Sequence, residues 1–209
     1  IDPAVAPAQG ESVGWSSAEH DGQRYLMLNY RPDLPSEPRR ERRDWLFLFE
    51  SSGARDPLLA RTQVEIVRSL LTQAEREDTF NVLTVGTRVT PWQARPRSVN
   101  SANLDAAIRF LESTHLIGAT DLEAGLGTAV ASLKSSPNPY LVHLGGGVAS
   151  LGECRSDRLV GLIPKAVKYV GVAVGKRFSP QLMKVAAEKT GGYFTQINPD
   201  ESVAWRGFQ

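Results

Sequence analysis

Three short polar stretches carry most of the residues whose types and spacing could do chemistry. They are Glu50-Ser51-Ser52-Gly53-Ala54, Gly118-Ala119-Thr120-Asp121 and Gly145-Gly146-Gly147. The first precedes Asp56-Pro57, a helix start with Asp as N-cap and Pro at the first helical position. Free N–H groups at such a start favour an anion, although the Glu50 carboxylate would repel one. The glycine run could offer backbone N–H groups as an oxyanion hole, but no Ser-His-Asp set accompanies it, and a tight strand-to-helix turn accounts for it. His143 and Cys154 are the available base and nucleophile. His143 lies inside the apolar run Leu141-Val142-His143-Leu144 and reads as a core histidine, and nothing in the sequence activates Cys154. Gly125-Leu126-Gly127 falls within a helical pattern and not after a strand, so it fails as a dinucleotide fingerprint.

The elements around these stretches must position them. Trp45–Phe49 is an unbroken apolar run, the signature of a strand buried on both faces. A helix follows from about Pro57 to Arg76, with Leu59, Ile66, Val67, Leu70, Leu71 and Ala74 on one stripe. Further buried, central strands are predicted over Thr79–Gly86, Pro139–Leu144 and Lys168–Gly175, and a last strand over Tyr193–Ile197. Arg88–Trp92 reads as a short edge strand, because Pro91 cannot donate to a ladder. Helices are predicted over Asn103–Ser113, Leu122–Leu133, Arg158–Ala166 and Gln181–Thr190, the last started by Ser179-Pro180 and capped by Gly191-Gly192. Strand and helix alternate throughout, which argues for an α/β fold with a doubly wound, mostly parallel sheet and helices on both faces. In such sheets ligands collect at the carboxyl ends of the strands, where Glu50, Ser51 and Ser52 fall.

The first forty residues differ in character. Ile1–Gly10 is a Pro- and Ala-rich lead-in, Ser12–Trp15 and Arg24–Tyr30 are strands around an Asp21-Gly22 turn, and Arg31–Arg43 is a charged, Pro-bearing linker. The reading is a small N-terminal β appendage over 1–43 and a main domain over 44–209. Across 209 residues, 41% are hydrophobic and the net charge is +1, enough for one sizeable core and too balanced to suggest nucleic acid. The Arg39–Arg43 cluster reads as a solvated linker. A single cysteine excludes an internal disulfide framework, and no apolar stretch is long enough to insert in a membrane. The chain has neither an initiator Met nor a signal-peptide pattern, so it reads as a fragment of a larger protein.

The order of the three polar loops resembles that of a von Willebrand factor A domain, a Rossmann-like fold. The family pattern is a strand ending Asp-x-Ser-Gly-Ser, a Gly-Gly-Thr loop opening a helix, and a strand ending Thr-Asp-Gly. Asp78–Val82 also resembles the family's approach to its second strand. The finer resemblance is to A domains that follow an inter-alpha-trypsin inhibitor heavy-chain-type (VIT) domain, with Tyr25–Pro35 similar to the exit from one. By resemblance the three loops would build a metal-ion-dependent adhesion site, in which Asp, two Ser, Thr and a second Asp hold Mg²⁺ and a partner's carboxylate completes the shell. Here Glu50 stands at the first Asp position, Ala54 at the second Ser and Gly145 at the second Asp, while Ser52 and Thr120 match.

The resemblance therefore implies a degenerate site with no resident cofactor, Mg²⁺ being held only if Glu50, Ser52 and Thr120 suffice. Glu50 would then take other donors: Arg55, a loop N–H or the Thr120 hydroxyl. Asp121 reads as a cap of the next helix. The functional expectation is a protein-binding or scaffolding module, not an enzyme, whose contact face is Ser51, Ser52, Thr120, Asp121 and Gly146. The partner is a protein and not nucleic acid, and the resemblance suggests an extracytoplasmic setting. The alternative is a small-molecule or nucleotide-binding domain using the same crevice. An enzyme ranks third, since the sequence shows no acid and base paired on neighbouring strand ends.

Overall fold

A computed structural model describes residues 13–30 and 41–198. They belong to two compact units divided between Arg40 and Glu41. The expected lead-in, most of the linker and Trp205 lie outside the described residues.

The first unit is a hairpin of β1 (Val13–His20) and β2 (Gln23–Tyr30), antiparallel around Asp21-Gly22. The first strand is longer than the expected Ser12–Trp15, because its polar residues Ser16–His20 pair as regularly as its apolar ones. Trp15 faces Leu28 and Val13 faces Tyr30 in the register, and all four are exposed. Because side chains alternate along a strand, these residues share one face with Leu26.

The second unit holds β3 (Asp44–Glu50), α1 (Pro57–Gln73), β4 (Thr79–Val85), β5 (Val89–Pro91), β6 (Arg97–Ser98), α2 (Ser101–Glu112), α3 (Leu122–Leu133), β7 (Pro139–Gly145), α4 (Ser156–Gly161), β8 (Lys168–Val174), α5 (Pro180–Thr190) and β9 (Tyr193–Ile197). The sheet runs β5-β4-β3-β7-β8-β9. The five strands from β4 to β9 along this path are parallel, and β5 and β6 pair antiparallel with β4 at the edge. The four apolar runs predicted as central strands are thus neighbours and parallel. β4 lies on one side of β3 and β7 on the other, so the strand order reverses at β3. The crevice outside the carboxyl ends of β3 and β7 is the topological switch point.

Alternation along β3 divides the core into two layers. Phe47 and Phe49 pack with Val64 and Val67 of α1 and Ile108 and Leu111 of α2. Leu46 and Leu48 face the opposite way, onto Leu122 and Leu126 of α3, Leu159 of α4 and Leu182 of α5. Every one of these side chains is buried, and truncating such a phenylalanine to alanine costs about 3–5 kcal/mol.

The helix bounds follow their caps. Asp56 caps α1 through Leu58 N, with Pro57 in the first turn as predicted. α2 begins at Ser101 and not Asn103, because Asn100 is its cap and accepts from Asn103 N. α4 covers Ser156–Gly161 and not Arg158–Ala166; Pro164, which cannot continue a helical ladder, follows it closely.

Candidate functional site

Glu50 ends β3 on the face shared with Leu46 and Leu48 and is 2% exposed. His143 in β7 has Leu48 as its register partner and is fully buried. Their side chains meet: His143 Nε2 lies 2.9 Å from Glu50 Oε1. Two backbone amides converge on the same carboxylate, Gly147 N on Oε1 at 2.6 Å and Gly146 N on Oε2 at 3.0 Å. On the far side of the imidazole, Nδ1 lies 2.6 Å from the hydroxyl of Tyr169, itself buried in β8.

The proton inventory of this chain closes on one arrangement. Burial pushes the Tyr169 hydroxyl well above its ordinary value, and the negative charge of Glu50 adds to the effect, so the phenol keeps its proton. It donates to Nδ1, and Nε2–H donates to Glu50. Burial alone would raise the Glu50 carboxyl. The His143 hydrogen bond, the charge of Arg55 and the Gly146 amide outweigh it and hold the group below the ordinary carboxylate range. The glycine loop does present its N–H groups to an anion, and the anion is the protein's own side chain.

This corrects two expectations. An acid and a base do pair on neighbouring strand ends, although both are buried, 3% and 0% exposed by side chain. The loop after β7 is no tight turn: α4 begins only at Ser156. Of the donors expected for Glu50, the loop N–H groups are found; among the described residues neither Arg55 nor the Thr120 hydroxyl hydrogen-bonds to it.

The three loops are sewn together by main-chain bonds. Gly53 N donates to Gly118 O at 2.9 Å, Ser150 N to Thr120 O at 3.0 Å, and Ser179 N to Gly146 O at 2.7 Å. Ser51 is held by both its backbone groups, N to Val85 O and O from Ile117 N. Asp121 caps α3, accepting from Ala124 N at 2.9 Å. Ser51, Ser52, Thr120, Gly145 and Gly146 are all buried, so they form the floor of the crevice and not its surface. Ala54 is exposed. The rim consists of Gly53, Ala54, Ile117, Gly118, Val148, Lys176 and Arg177, every one exposed. Sequence reading missed most of this rim, because exposure of a loop residue depends on how neighbouring loops pack.

Mg²⁺ takes about six oxygens in near-ideal octahedral geometry at about 2.0–2.1 Å. The donors present do not fit that demand. Glu50 spends both oxygens on N–H groups, Ala54 has no side-chain oxygen, and Gly145 has no side chain. A Cβ placed on Gly145 would fall on Glu50 Cγ and Cδ, so Glu50 fills the space that a second carboxylate would need. Among the described residues no group of three His, Cys, Asp or Glu gathers where it could hold a metal ion.

A doubly wound sheet with three loops meeting at the switch point defines the class. The family model for the von Willebrand factor type A domain matches residues 44–195, and the chain belongs to that family. Inter-alpha-trypsin inhibitor heavy chain H1 of Mesocricetus auratus is 23% identical over 168 residues, which cover 74% of this chain and 18% of that protein. The solved von Willebrand factor type A structure from Catenulispora acidiphila superposes with a TM-score of 0.65 at 14% identity, over 87% of this chain and 42% of that one. Proximal thread matrix protein 1 of the mussel byssus, solved with zinc in its MIDAS motif, superposes with a TM-score of 0.62 at 19% identity, over 77% and 42%. At these identities the two structures bear on the fold alone. The chain spans less than half the length of each of these three relatives. Domains of this family are generally non-enzymatic and typically serve as protein-interaction modules within larger proteins. No helix among the described residues is long and apolar enough to cross a membrane.

Proposed function

We propose that this domain is a metal-independent protein-binding or scaffolding module of a larger protein, with an extracytoplasmic setting. Its contact face is the rim of the carboxyl edge, above the floor formed by Ser51, Ser52, Thr120, Gly145 and Gly146 and beside Asp121. One observation carries the reading. The Glu50 carboxylate is satisfied internally by Gly146 N, Gly147 N and His143, where a metal-binding relative would need it free. The experiment uses the full chain and whichever partner co-purifies with it. Binding is expected to survive EDTA and to be lost in Ile117→Asp, since Ile117 is 73% exposed on the rim. Saturable, stoichiometric Mg²⁺ or Mn²⁺ binding that disappears in Glu50→Ala would overturn the reading.

A small-molecule reading keeps one specific support. A groove of about 410 Å³ beside the same edge is lined by Ser51, Thr84, Thr87, Arg88, His115 and Ile117. A metabolite occupying it would raise the melting temperature by linkage, whereas a protein-binding face leaves a metabolite screen silent.

A further inference from the structure

On one side of the sheet, α1 and α2 leave a hollow between them. Its volume is about 630 Å³, in the range of cavities that take a small molecule. The α1 wall is Pro57, Ala60, Arg61, Val64 and Glu65, whose spacing along the helix places them on one stripe. The apolar members of that stripe are short. They leave a gap to Leu111 at the end of α2 and to Leu116 beyond it, which form the opposite wall. Phe49 of β3 lies at the floor. Phe49, Ala60, Val64 and Leu111 are all buried, so the interior of the hollow is apolar.

The polar groups of the lining are unequally engaged. Glu65 and Glu112 share one cation, Arg68, at 3.6 Å each. Thr114 donates its hydroxyl to Phe110 O at 2.9 Å. Arg61 is exposed and, among the described residues, makes neither an ion pair nor a side-chain hydrogen bond. Glu65, one turn further along α1, does not serve it: a base preceding an acid at that spacing is the weaker orientation, and Glu65 lies with Arg68. The hollow thus joins an apolar interior to one uncommitted guanidinium, whose planar fork of donors matches a carboxylate.

We propose that this hollow is a binding site for a small amphipathic monocarboxylate, a medium-chain fatty acid being the simplest form. The chain lies against Phe49, Ala60, Val64, Leu111 and Leu116, and the carboxylate seats on Arg61. Burial of the chain supplies the affinity and Arg61 the choice of head group. Sugars and nucleotides are excluded, because their hydroxyls would be left unpaired against the apolar walls. A second carboxylate is excluded as well, since Glu65 and Glu112 stand at the same site and oppose further negative charge. The inference is independent of the contact-face reading, because none of the rim residues lines the hollow.

The test is calorimetric titration of the full chain with hexanoate, octanoate and decanoate below their micelle-forming concentrations. Decyltrimethylammonium and decanedioate serve as the cationic and doubly charged comparisons. Decanoate is expected to saturate one site, with affinity rising about fourfold per methylene along the series. The two comparisons are expected to bind at least fivefold more weakly than decanoate. Arg61→Gln is expected to weaken decanoate about fivefold, the size of one exposed charge pair. Ala60→Leu puts a larger side chain into the hollow and is expected to abolish saturable binding while the melting transition persists. Should that variant fail to fold, Arg61→Gln, at an exposed position, carries the test alone. Leu28→Ser alters the exposed apolar face of the hairpin and is expected to leave decanoate binding unchanged. Decanoate that does not saturate, or that binds Arg61→Gln and a folded Ala60→Leu as it binds the native chain, overturns the proposal. Equal affinity for decyltrimethylammonium or decanedioate overturns it too, as does loss of binding in Leu28→Ser, which would place the ligand on the hairpin.

Discussion

Glu50 and Gly145 occupy one space between them: a Cβ on Gly145 would coincide with the Glu50 side chain. The longer acid on β3 and the absent side chain on β7 are two halves of one arrangement. Gly145→Ala is therefore expected to destabilise the domain strongly, by the overpacking cost of about 1–3 kcal/mol or more. Glu50→Ala removes the obstruction but leaves His143 Nε2 and two amides unpaired, a loss of about 3–5 kcal/mol. The double variant is expected to be more stable than the sum of the two losses predicts. Urea denaturation of the four proteins measures that coupling, and strict additivity would show that the two positions do not share space.

The acid limb of the stability curve is expected to depend on Glu50. Its folded carboxyl lies below the ordinary range, so its contribution is fully present above the unfolded value of about 4.3 and is lost as pH falls through the folded value. Glu50→Gln should lower stability at neutral pH and flatten its slope below about pH 4.5. Denaturation midpoints collected across that range decide it; an unchanged slope means that Glu50 does not carry the acid transition.

At the alkaline end the sign reverses. The folded Tyr169 hydroxyl lies well above its ordinary value, so its contribution is complete below about pH 10 and is lost as pH rises toward the folded value. Tyr169→Phe keeps the ring among its neighbours and leaves His143 Nδ1 without a donor. It is expected to cost about 1–3 kcal/mol at neutral pH and to weaken the alkaline loss of stability. Base titration followed by circular dichroism reads both.

The fold was legible and the pairing within the site was not, for separable reasons. Trp45–Phe49 and Leu141–Leu144 announce buried strands by continuous apolarity, and Asp56-Pro57 announces a helix start by cap chemistry, all local signals. That His143 meets Glu50 depends on the register Leu48↔His143 between strands 93 positions apart at the contact. A slip of one residue would turn His143 to the opposite layer, and nothing in either strand's own sequence sets that register. Once β3 and β7 are aligned, a carboxylate and an imidazole on one face at adjacent strand ends are bound to meet. The start of α2 was missed for a smaller reason: Asn100 and Asn103 are both plausible caps, and only the backbone chooses between them.

Separation of the hairpin from the main unit is expected to cost the latter little. Among the described residues, the main unit's core clusters draw on Trp45 and positions after it. Removing residues before Arg39 is expected to leave one cooperative thermal transition, while the hairpin alone, two strands with an exposed apolar face, is expected to show none. Loss of the cooperative transition in the truncated chain would place the domain boundary elsewhere.

The last prediction turns the degenerate site back. Glu50→Asp shortens the acid by one methylene, which withdraws it from the Gly146 and Gly147 amides and leaves only its Cγ, which must swing aside, near the point where a Cβ on Gly145 would lie. Gly145→Asp then adds a second carboxylate in that space, and Ala54→Ser adds a hydroxyl beside Ser52 and Thr120. Together the three changes rebuild a set of hard oxygen donors on loops that the existing main-chain bonds hold together. The native chain is expected to show no shift in melting temperature with millimolar Mg²⁺ or Mn²⁺. The triple variant is expected to start less stable and to gain about 2.7 kcal/mol at a hundredfold excess over its dissociation constant. For a domain of this size that is roughly 5–10 °C. A shift in the native chain would refute the metal-independent reading. A silent triple variant would show that these three positions are not what separates this domain from its metal-binding relatives.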